Sequence, residues 1–535
     1  MRSRRAWLDD SEIFRHRRAR PIARWERWTF GVLAFLGVQS VLLFALWWFR
    51  REHVGNPILF ALLSFATWYG ISRIVIGWYN AFHVEQPDIR NAPPGLKVAI
   101  FITSSPGEPY AMFERTLAAA RDITYPHTTY LLDDTRDPRF AELAAAMGAT
   151  HLELVGLPGA KAGKINAALA LTSEAFVLVL DPDHIPLPQF LDRVLGYFEN
   201  PCVGFVQVAQ TYYDPPRSFV ARAAAEQTFA FYGPVLQGMH GTGTAVAIGA
   251  NCTFRRTALA SIGGHGVGLA EDLVTSIRLH AAGWESVYVP EVVARGLVPE
   301  DLDSFLRQQL KWARGVYEVL YREYPRAFPR LTKHQRLSYL MIGTYYLVGV
   351  TSLIYLAIPL LYLLTGLQPA AMFLGEYLAF AVPVGLFGLI NYRFAQRWLI
   401  DPERERGWHW RGTLLKIGCW SVYLKALLLA IANVAVAYIP TAKERRTGNF
   451  WRLAAVPLAV VALSCSAVAA TVLHRLYVMA EAQVRITTEA TLGMIGFAVV
   501  NCLFMSGRIY AAWKDSDRRN AHDGATRSPS SHSDG

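Results

Sequence analysis

Six stretches of this chain are apolar over the length a bilayer demands, and any fold it adopts has to house them. A hydrocarbon core about 30 Å thick is crossed by about 20 helical residues. Trp28 to Phe49 and Pro57 to Tyr79 supply that length with almost no charge, and Leu337 to Leu364, Met372 to Tyr392, Trp451 to Val478 and Thr491 to Tyr510 repeat it. Between the second and third lies a long polar stretch, so the chain is not a channel alone. At 53% hydrophobic and 18% charged it also lacks the charge of a disordered protein. Its five cysteines show no CxxC or metal-ligand spacing and are expected to be buried, reduced thiols rather than a disulfide frame.

The basic residues set the orientation. Residues 1–27 carry Arg2, Arg4, Arg5, Arg15, Arg17, Arg18, Arg20, Arg24 and Arg27, and read as a cytoplasmic arm under the positive-inside rule. They are not a cleavable signal, because no small-residue cleavage site follows a short apolar core. Two spans within 28–79 return the chain to the cytoplasm, which places the polar stretch there. Two further pairs of spans, within 337–392 and 451–510, keep the basic stretches Arg393 to Arg411 and Lys443 to Arg452 on the same side, although Arg50 and Arg51 in the first outer loop run against the rule. Leu414 to Tyr438 is also apolar. As a seventh span it would move the Lys443 to Arg452 loop outside, so an interfacial helix is predicted instead, inside a cytoplasmic segment 393–450. Residues 511–535, rich in Ser, Asp and Arg, are expected to form a disordered tail. No nucleic-acid module accompanies the formal charge of +11, so the bilayer, and not nucleic acid, is the expected partner of the basic residues.

Within the polar stretch, Lys97 to Thr103, Tyr130 to Leu132, His151 to Val155 and Phe176 to Leu180 read as short strands alternating with helices, which predicts an α/β sheet. Ligands of such sheets bind beyond the carboxyl ends of the strands, where Asp133-Asp134 and Asp181-Pro182-Asp183 stand. Two carboxylates around one proline suit a hard cation such as Mg²⁺ or Mn²⁺, though Asp-x-Asp is also a common turn. Asp133-Asp134 reads equally as a solvated loop with a helix cap. Lys161-Ala162-Gly163-Lys164-Ile165-Asn166 enters a helix and offers amides and ammonium groups to a diphosphate, without a Walker or GxGxxG pattern. Glu271-Asp272 opens a helix predicted over Leu273 to Ala282, where Asp272 serves as a cap or as a catalytic carboxylate. Gln308-Gln309-Leu310-Lys311-Trp312 lies on an amphipathic helix before the third span, a level where Trp and Lys are expected in any case.

The order Asp-Asp, Lys-Ala-Gly-x-x-Asn, Asp-Pro-Asp-His, Ala-Glu-Asp, Gln-x-x-Lys-Trp, followed by more spans, resembles the processive family 2 glycosyltransferases, the cellulose synthase-like membrane enzymes, over roughly Pro94 to Trp451. The resemblance implies a GT-A catalytic domain over 80–300, a Rossmann-like mixed sheet set in a bundle of about six spans. It also implies interfacial helices over 301–336, a UDP-sugar donor, a growing glycan chain and Mg²⁺ or Mn²⁺. By the same resemblance Asp133 and Asp134 match the uridine-binding motif, Lys161, Gly163 and Asn166 the donor-nucleotide loop, and Asp181 and Asp183 the metal and diphosphate motif. Asp272, with Glu271 beside it, matches the general base, and Gln308 and Trp312 match the acceptor end. Lys311 stands on the donor side where the family usually has Arg, a change that loses the planar guanidinium fork. Tyr438, Thr441 and Lys443, in Tyr438-Ile439-Pro440-Thr441-Ala442-Lys443, match a gating loop.

Departures are visible too. Ala247 to Ala250 lacks the Phe-Cys-Gly-Ser run of many bacterial cellulose synthases, and the short stretch after the last span leads us to expect no fused PilZ domain, so that regulation would come from an accessory protein. The implied activity is inverting polymerisation of a β-glucan from UDP-glucose, with translocation across the inner (plasma) membrane. Two alternatives stand beside it: a non-processive transferase adding one sugar to a lipid carrier or other acceptor, and a transporter or scaffold that only binds nucleotide sugar.

Overall fold

Runs such as Val177-Leu178-Val179-Leu180 are apolar at every position, as strands covered on both faces must be. In the computed structural model, which describes residues 15–213, 217–436, 448–478 and 484–525, they form the centre of a mixed sheet. The strands, in chain order, are β1 (Arg17–Arg18), β2 (Val98–Thr103), β3 (Thr128–Asp133), β4 (Thr150–Glu153), β5 (Phe176–Leu180), β6 (Ile185–Pro186), β7 (Val203–Val208), β8 (Thr211–Tyr212), β9 (Cys252–Arg255), β10 (Glu285–Val289), β11 (Glu291–Val292) and β12 (Ala294–Gly296). Seven make the main sheet in the order β10-β7-β9-β5-β2-β3-β4. Only β9 runs antiparallel to its neighbours, pairing Val177 with Phe254 on one side and Phe205 with Phe254 on the other. A small sheet, β6-β12-β8, sits beyond the turn that follows β5.

The chain runs outward from β2 through β3 to β4, then crosses back to β5 on the other side of β2. That reversal opens a crevice between the carboxyl ends of β2 and β5, the place where open α/β sheets hold ligands. The helix Ala160–Leu171 makes the crossing, so its first turn, with Lys161 and Lys164, is delivered to the crevice.

Six helices among the described residues are long and apolar enough to cross a membrane: Arg24–Trp48, Pro57–Phe82, Lys333–Thr365, Leu374–Trp398, Phe450–Leu473 and Thr488–Ser516. The apolar stretch after Leu414 is two helices, Trp410–Gly418 and Trp420–Ile431, bent by 47° at the break between them; counted together as one span they would make a seventh. The second packs on the helix Leu302–Glu318, where Tyr423 Oη donates to Gln309 Oε1 at 3.0 Å. Trp47 and Trp48 are buried with Phe44, Phe60, Ile71 and Val384, and Trp48 Nε1 donates to Ser64 Oγ at 2.9 Å, so these rings pack the bundle.

Two expectations are corrected and a third is extended. The basic arm does more than orient the chain: β1 pairs antiparallel with β11, His16 Nε2 lies 2.7 Å from Glu291 Oε2, and Arg17 Nη1 donates to Asp401 Oδ1 at 2.9 Å. The last helix continues to Ala525, so 511–525 are not part of an irregular tail, and buried Asp515 accepts from Leu302 N at 2.6 Å at the start of the Leu302–Glu318 helix. Of the cysteines, Cys252 and Cys419 are buried, whereas Cys202 and Cys465 are exposed and Cys502 is half-buried.

Candidate active site

The first turn of the Ala160–Leu171 helix is anchored in the crevice by its lysines. Lys161 Nζ donates to Asp181 Oδ1 and to the Gly249 carbonyl. Burial works against its charge, but Asp181, Glu271 and Asp272 outweigh it and raise its pKa. Lys164 is more deeply enclosed, donating to the Ser104 carbonyl and, at 3.2 Å, to Ser105 Oγ, with Asp134 Oδ2 at 3.6 Å. Burial lowers its pKa despite the nearby carboxylate of Asp134. Gly163 lets this turn close: a Cβ there would come 2.0 Å from the Pro158 carbonyl oxygen. Asn166 acts one step away, holding the Gly264-His265 loop with both ends of its amide, 2.9 Å to the His265 carbonyl and 2.7 Å from the His265 N–H.

The two aspartates closing β3 are not equivalent. Asp133 is buried and its carboxylate is saturated by Ser104 Oγ at 2.6 Å, Thr135 N at 2.9 Å, Thr135 Oγ1 at 2.8 Å and His151 Nε2 at 2.9 Å. Burial alone would raise its pKa, and the hydrogen bonds reverse the sign. It fastens the strand end. Asp134 is the more exposed of the pair, accepts from Gly156 N at 2.9 Å and faces Lys164.

After β5 the chain turns through Asp181, Pro182, Asp183 and His184, and the ligand atoms of Asp181, Asp183 and His184 lie within 4.8 Å of one another. His184 was not singled out from the sequence, although it directly follows the acidic pair. Its ring is buried and neither nitrogen makes a hydrogen bond; Nδ1 lies 3.4 Å from Asp183 Oδ1. Gly296 of β12 leaves room for the other edge, since a Cβ there would come within 2.4 Å of Nε2. Two carboxylates and an imidazole without a hydrogen bond fit a divalent cation of the Mg²⁺ or Mn²⁺ type.

On the other wall stands the helix Glu271–Ala281. Its N-cap is Ala270, which makes no side-chain cap bond, so Asp272 is not the cap that its position suggested. Asp272 Oδ1 accepts from Leu273 N at 2.8 Å, and Oδ2 lies against Gly249, where a Cβ would approach to 3.3 Å. Burial, and then repulsion from Glu271, push the Asp272 carboxyl up to about 7. Glu271 is raised as well, by burial first, with Lys161 and Lys311 opposing. Gly249, at φ +84, links the two walls: its carbonyl holds Lys161 while its missing side chain admits Asp272. Buried Gln207 holds this loop, taking Ile248 N at 3.0 Å and donating to the Ala250 carbonyl at 2.9 Å.

Gln308, Lys311 and Trp312 lie on one face of the helix Leu302–Glu318, and Gly315 continues that face. A Cβ on Gly315 would meet Ala270 N at 2.8 Å, so this glycine brings the helix against the residue preceding Glu271. Gly315→Ala should therefore force the two helices apart, at roughly 1–3 kcal/mol for an overpacked contact. Thermal unfolding of the purified variant measures that cost, and transfer should fall more than donor affinity, because the lysine cluster lies on the opposite wall. Trp312 is 38% exposed beside this junction. Tyr438, Thr441 and Lys443 lie outside the described residues.

Comparison with known proteins relates this region to glycosyltransferases. Residues 176–391 match the family model described as Glycosyl transferase family group 2, which takes in Asp181, Asp183, Asp272, Gln308 and Trp312. The chain is 30% identical over 340 residues to cellulose synthase 1 of Komagataeibacter xylinus, covering 61% of this chain and 22% of that protein. It is 29% identical over 343 residues to the cellulose synthase catalytic subunit [UDP-forming] of Komagataeibacter sucrofermentans, covering 61% of this chain and 45% of that one. The chain thus spans less than half the length of these relatives. Among solved structures, the mannosyltransferase PcManGT from Pyrobaculum calidifontis in complex with GDP-Man and Mn²⁺ aligns over 65% of this chain and 100% of that one, at 18% identity and a TM-score of 0.46. The mixed sheet with its single reversed strand is a GT-A-like domain. Residues 176–391 thus carry a family 2 glycosyltransferase domain, and the curated relatives this chain resembles are cellulose synthases.

Proposed function

We propose that this chain is a processive membrane glycosyltransferase, polymerising a β-linked glycan from a UDP-sugar, UDP-glucose first among them, and passing the product through its own spans across the inner membrane from a cytoplasmic catalytic domain. The observation that carries the reading is the pairing across one crevice of a carboxyl held near neutrality, Asp272, with an acidic, lysine-flanked turn, Asp181 to His184. The acceptor hydroxyl attacks the anomeric carbon, the bond from that carbon to the diphosphate oxygen breaks, and Asp272 takes the hydroxyl proton. Attack opposite the leaving group inverts the anomeric centre. Lys161 stands where charge grows on the departing diphosphate, and Asp181, Asp183 and His184 are the residues that would hold Mg²⁺ or Mn²⁺. When bound, that cation would neutralise charge developing on the diphosphate oxygens. Asp134 and Lys164 flank the nucleoside side, and Lys311, near Glu271, adds positive charge on the donor side.

Processivity is supported by what lies under the base. Trp312 offers an exposed ring on which an apolar sugar face can stack, and Tyr346, within electrostatic reach of Asp272, packs with Tyr317 and Tyr423 toward the spans. Trp312→Ala should shorten the product while leaving hydrolysis of donor by water within about threefold of the parent, the loss of one stacked ring being on the order of 1 kcal/mol. Sizing labelled product against released UDP measures both. Unchanged product with single-sugar lipid adducts would instead favour the lipid-carrier transferase.

A further inference from the structure

Away from the crevice, a cavity of about 140 Å³ lies between the helix Phe219–Ala230 and the loop that joins the fourth span to the bent helix pair. Arg222, Arg404, Arg406 and Arg411 line it, against two carboxylates, Glu226 and Glu405. Both acids are already engaged, and Arg404 is paired as well, with Asp401 Oδ2 at 3.5 Å. Glu226 is engaged by Arg222 at 3.5 Å, Arg411 at 3.2 Å and the Gly412 N–H at 3.1 Å. Glu405 is buried and accepts from Asp401 N at 3.2 Å; burial pushes its carboxyl up to about 7. Arg406 is exposed and, among the described residues, has no carboxylate within ion-pair distance, its side chain reaching only the Gln396 carbonyl at 3.4 Å.

The backbone around this cavity is set by His409, a non-glycine residue at φ +49, which costs strain that its neighbours must hold in place. Its ring bonds to Tyr392 and to the Glu405 carbonyl, tying the loop to the end of the fourth span. The left-handed turn presents Trp408 and Trp410 at the rim, 64% and 48% exposed. Each lies under a guanidinium, Arg393 at 5.1 Å from Trp408 and Arg411 at 4.4 Å from Trp410. The level in the membrane is fixed independently: the candidate span Leu374–Trp398 ends just before the loop, and Arg397 at that end lies 5.3 Å over exposed Trp25 at the start of the first span. Exposed Trp and Arg at span ends mark the headgroup region.

We propose that this cavity is a phosphate site for the headgroup of an anionic phospholipid, seated by Arg406 with Arg404 and Arg411 and flanked by Trp408 and Trp410. Basic pockets at this level suit phosphate headgroups, each arginine adding on the order of fivefold to binding. The donor crevice plays no part in it.

The test uses the full-length protein in detergent, with fluorescent phosphatidylglycerol and phosphatidylcholine titrated separately and inorganic phosphate titrated in a lipid-free arm. The parent should bind phosphatidylglycerol in preference to phosphatidylcholine, Arg406→Gln should weaken that binding about fivefold, and Trp408→Ala should weaken it too. Arg397→Gln, at the same level but outside the cavity, should leave it unchanged, and an unaltered gel-filtration profile excludes misfolding. Phosphate binding that is lost in Arg406→Gln, with no preference for phosphatidylglycerol, would keep the phosphate chemistry and assign a soluble source. Equal binding of both lipids together with phosphate binding indifferent to Arg406→Gln would overturn the proposal.

Discussion

Asp272→Asn should lower sugar transfer by about 10²–10⁴-fold, the usual contribution of a positioned general base. The amide keeps the shape of the carboxylate and can still accept from Leu273 N, so folding should be unaffected while the proton acceptor is lost. The parent enzyme adds a second signature. A base works when ionised, and Asp272 is pushed up to about 7, chiefly by burial and then by Glu271. Transfer should therefore rise with pH through about 7 and level off above it. Glu271→Gln removes the like charge, which should move that limb to lower pH without abolishing turnover. A pH profile of initial rates in the parent and in both variants checks all three statements. A profile flat from pH 5 to 9 would remove Asp272 from the role assigned to it.

Asp183→Asn should be as damaging for a different reason. The side chain is buried in the turn after β5, beside His184, and replacing it leaves Asp181 and the imidazole as the remaining ligands of the proposed cation site. Activity should fall by at least about 10²-fold, the order expected when one group stabilising transition-state charge is removed. Chelation of divalent cations should abolish transfer by the parent and be reversed by Mg²⁺ or Mn²⁺. The distinguishing readout is direct cation binding: calorimetric titration with Mn²⁺ should show one site in the parent and much weaker binding in Asp183→Asn and in His184→Gln. Lys161→Ala should instead slow transfer without weakening cation binding, because its ammonium group pairs with Asp181 but supplies no cation ligand, and the diphosphate is its proposed target.

The parts of this molecule legible in the sequence are those encoded by local pattern. Span lengths follow from uninterrupted apolar runs, and the central strands from all-apolar segments ending in acids. The crevice follows in turn, because strand ends and the crossover helix that carries Lys161 are local features. What escaped depends on contacts between distant segments. Nothing near Arg17 announces that it pairs with Val292, nor does anything near Asp515 show that its carboxylate caps a helix starting at Leu302. Asp133 and Asp134 look alike in a string of letters; they differ only once His151 and Ser104 have closed around the first. Asp272 sits at a helix start, where capping is the default expectation, and the role proposed for it rests on Gly249 and Glu271 beside it. His184 had a usable signal in its adjacency to the acidic pair, but its burial without hydrogen bonds is visible only in three dimensions.

The most direct test of the central claim is incorporation of radiolabel from UDP-glucose by the purified full-length protein with Mg²⁺ or Mn²⁺, UDP-N-acetylglucosamine and GDP-mannose run in parallel, with the product sized and digested by linkage-specific glucanases. High-molecular-weight product from a UDP-sugar is expected, cleaved by a β-glucanase when the donor is UDP-glucose and absent in Asp272→Asn. Donor consumed into single-sugar adducts alone, or polymer formed equally by Asp272→Asn, would contradict that claim.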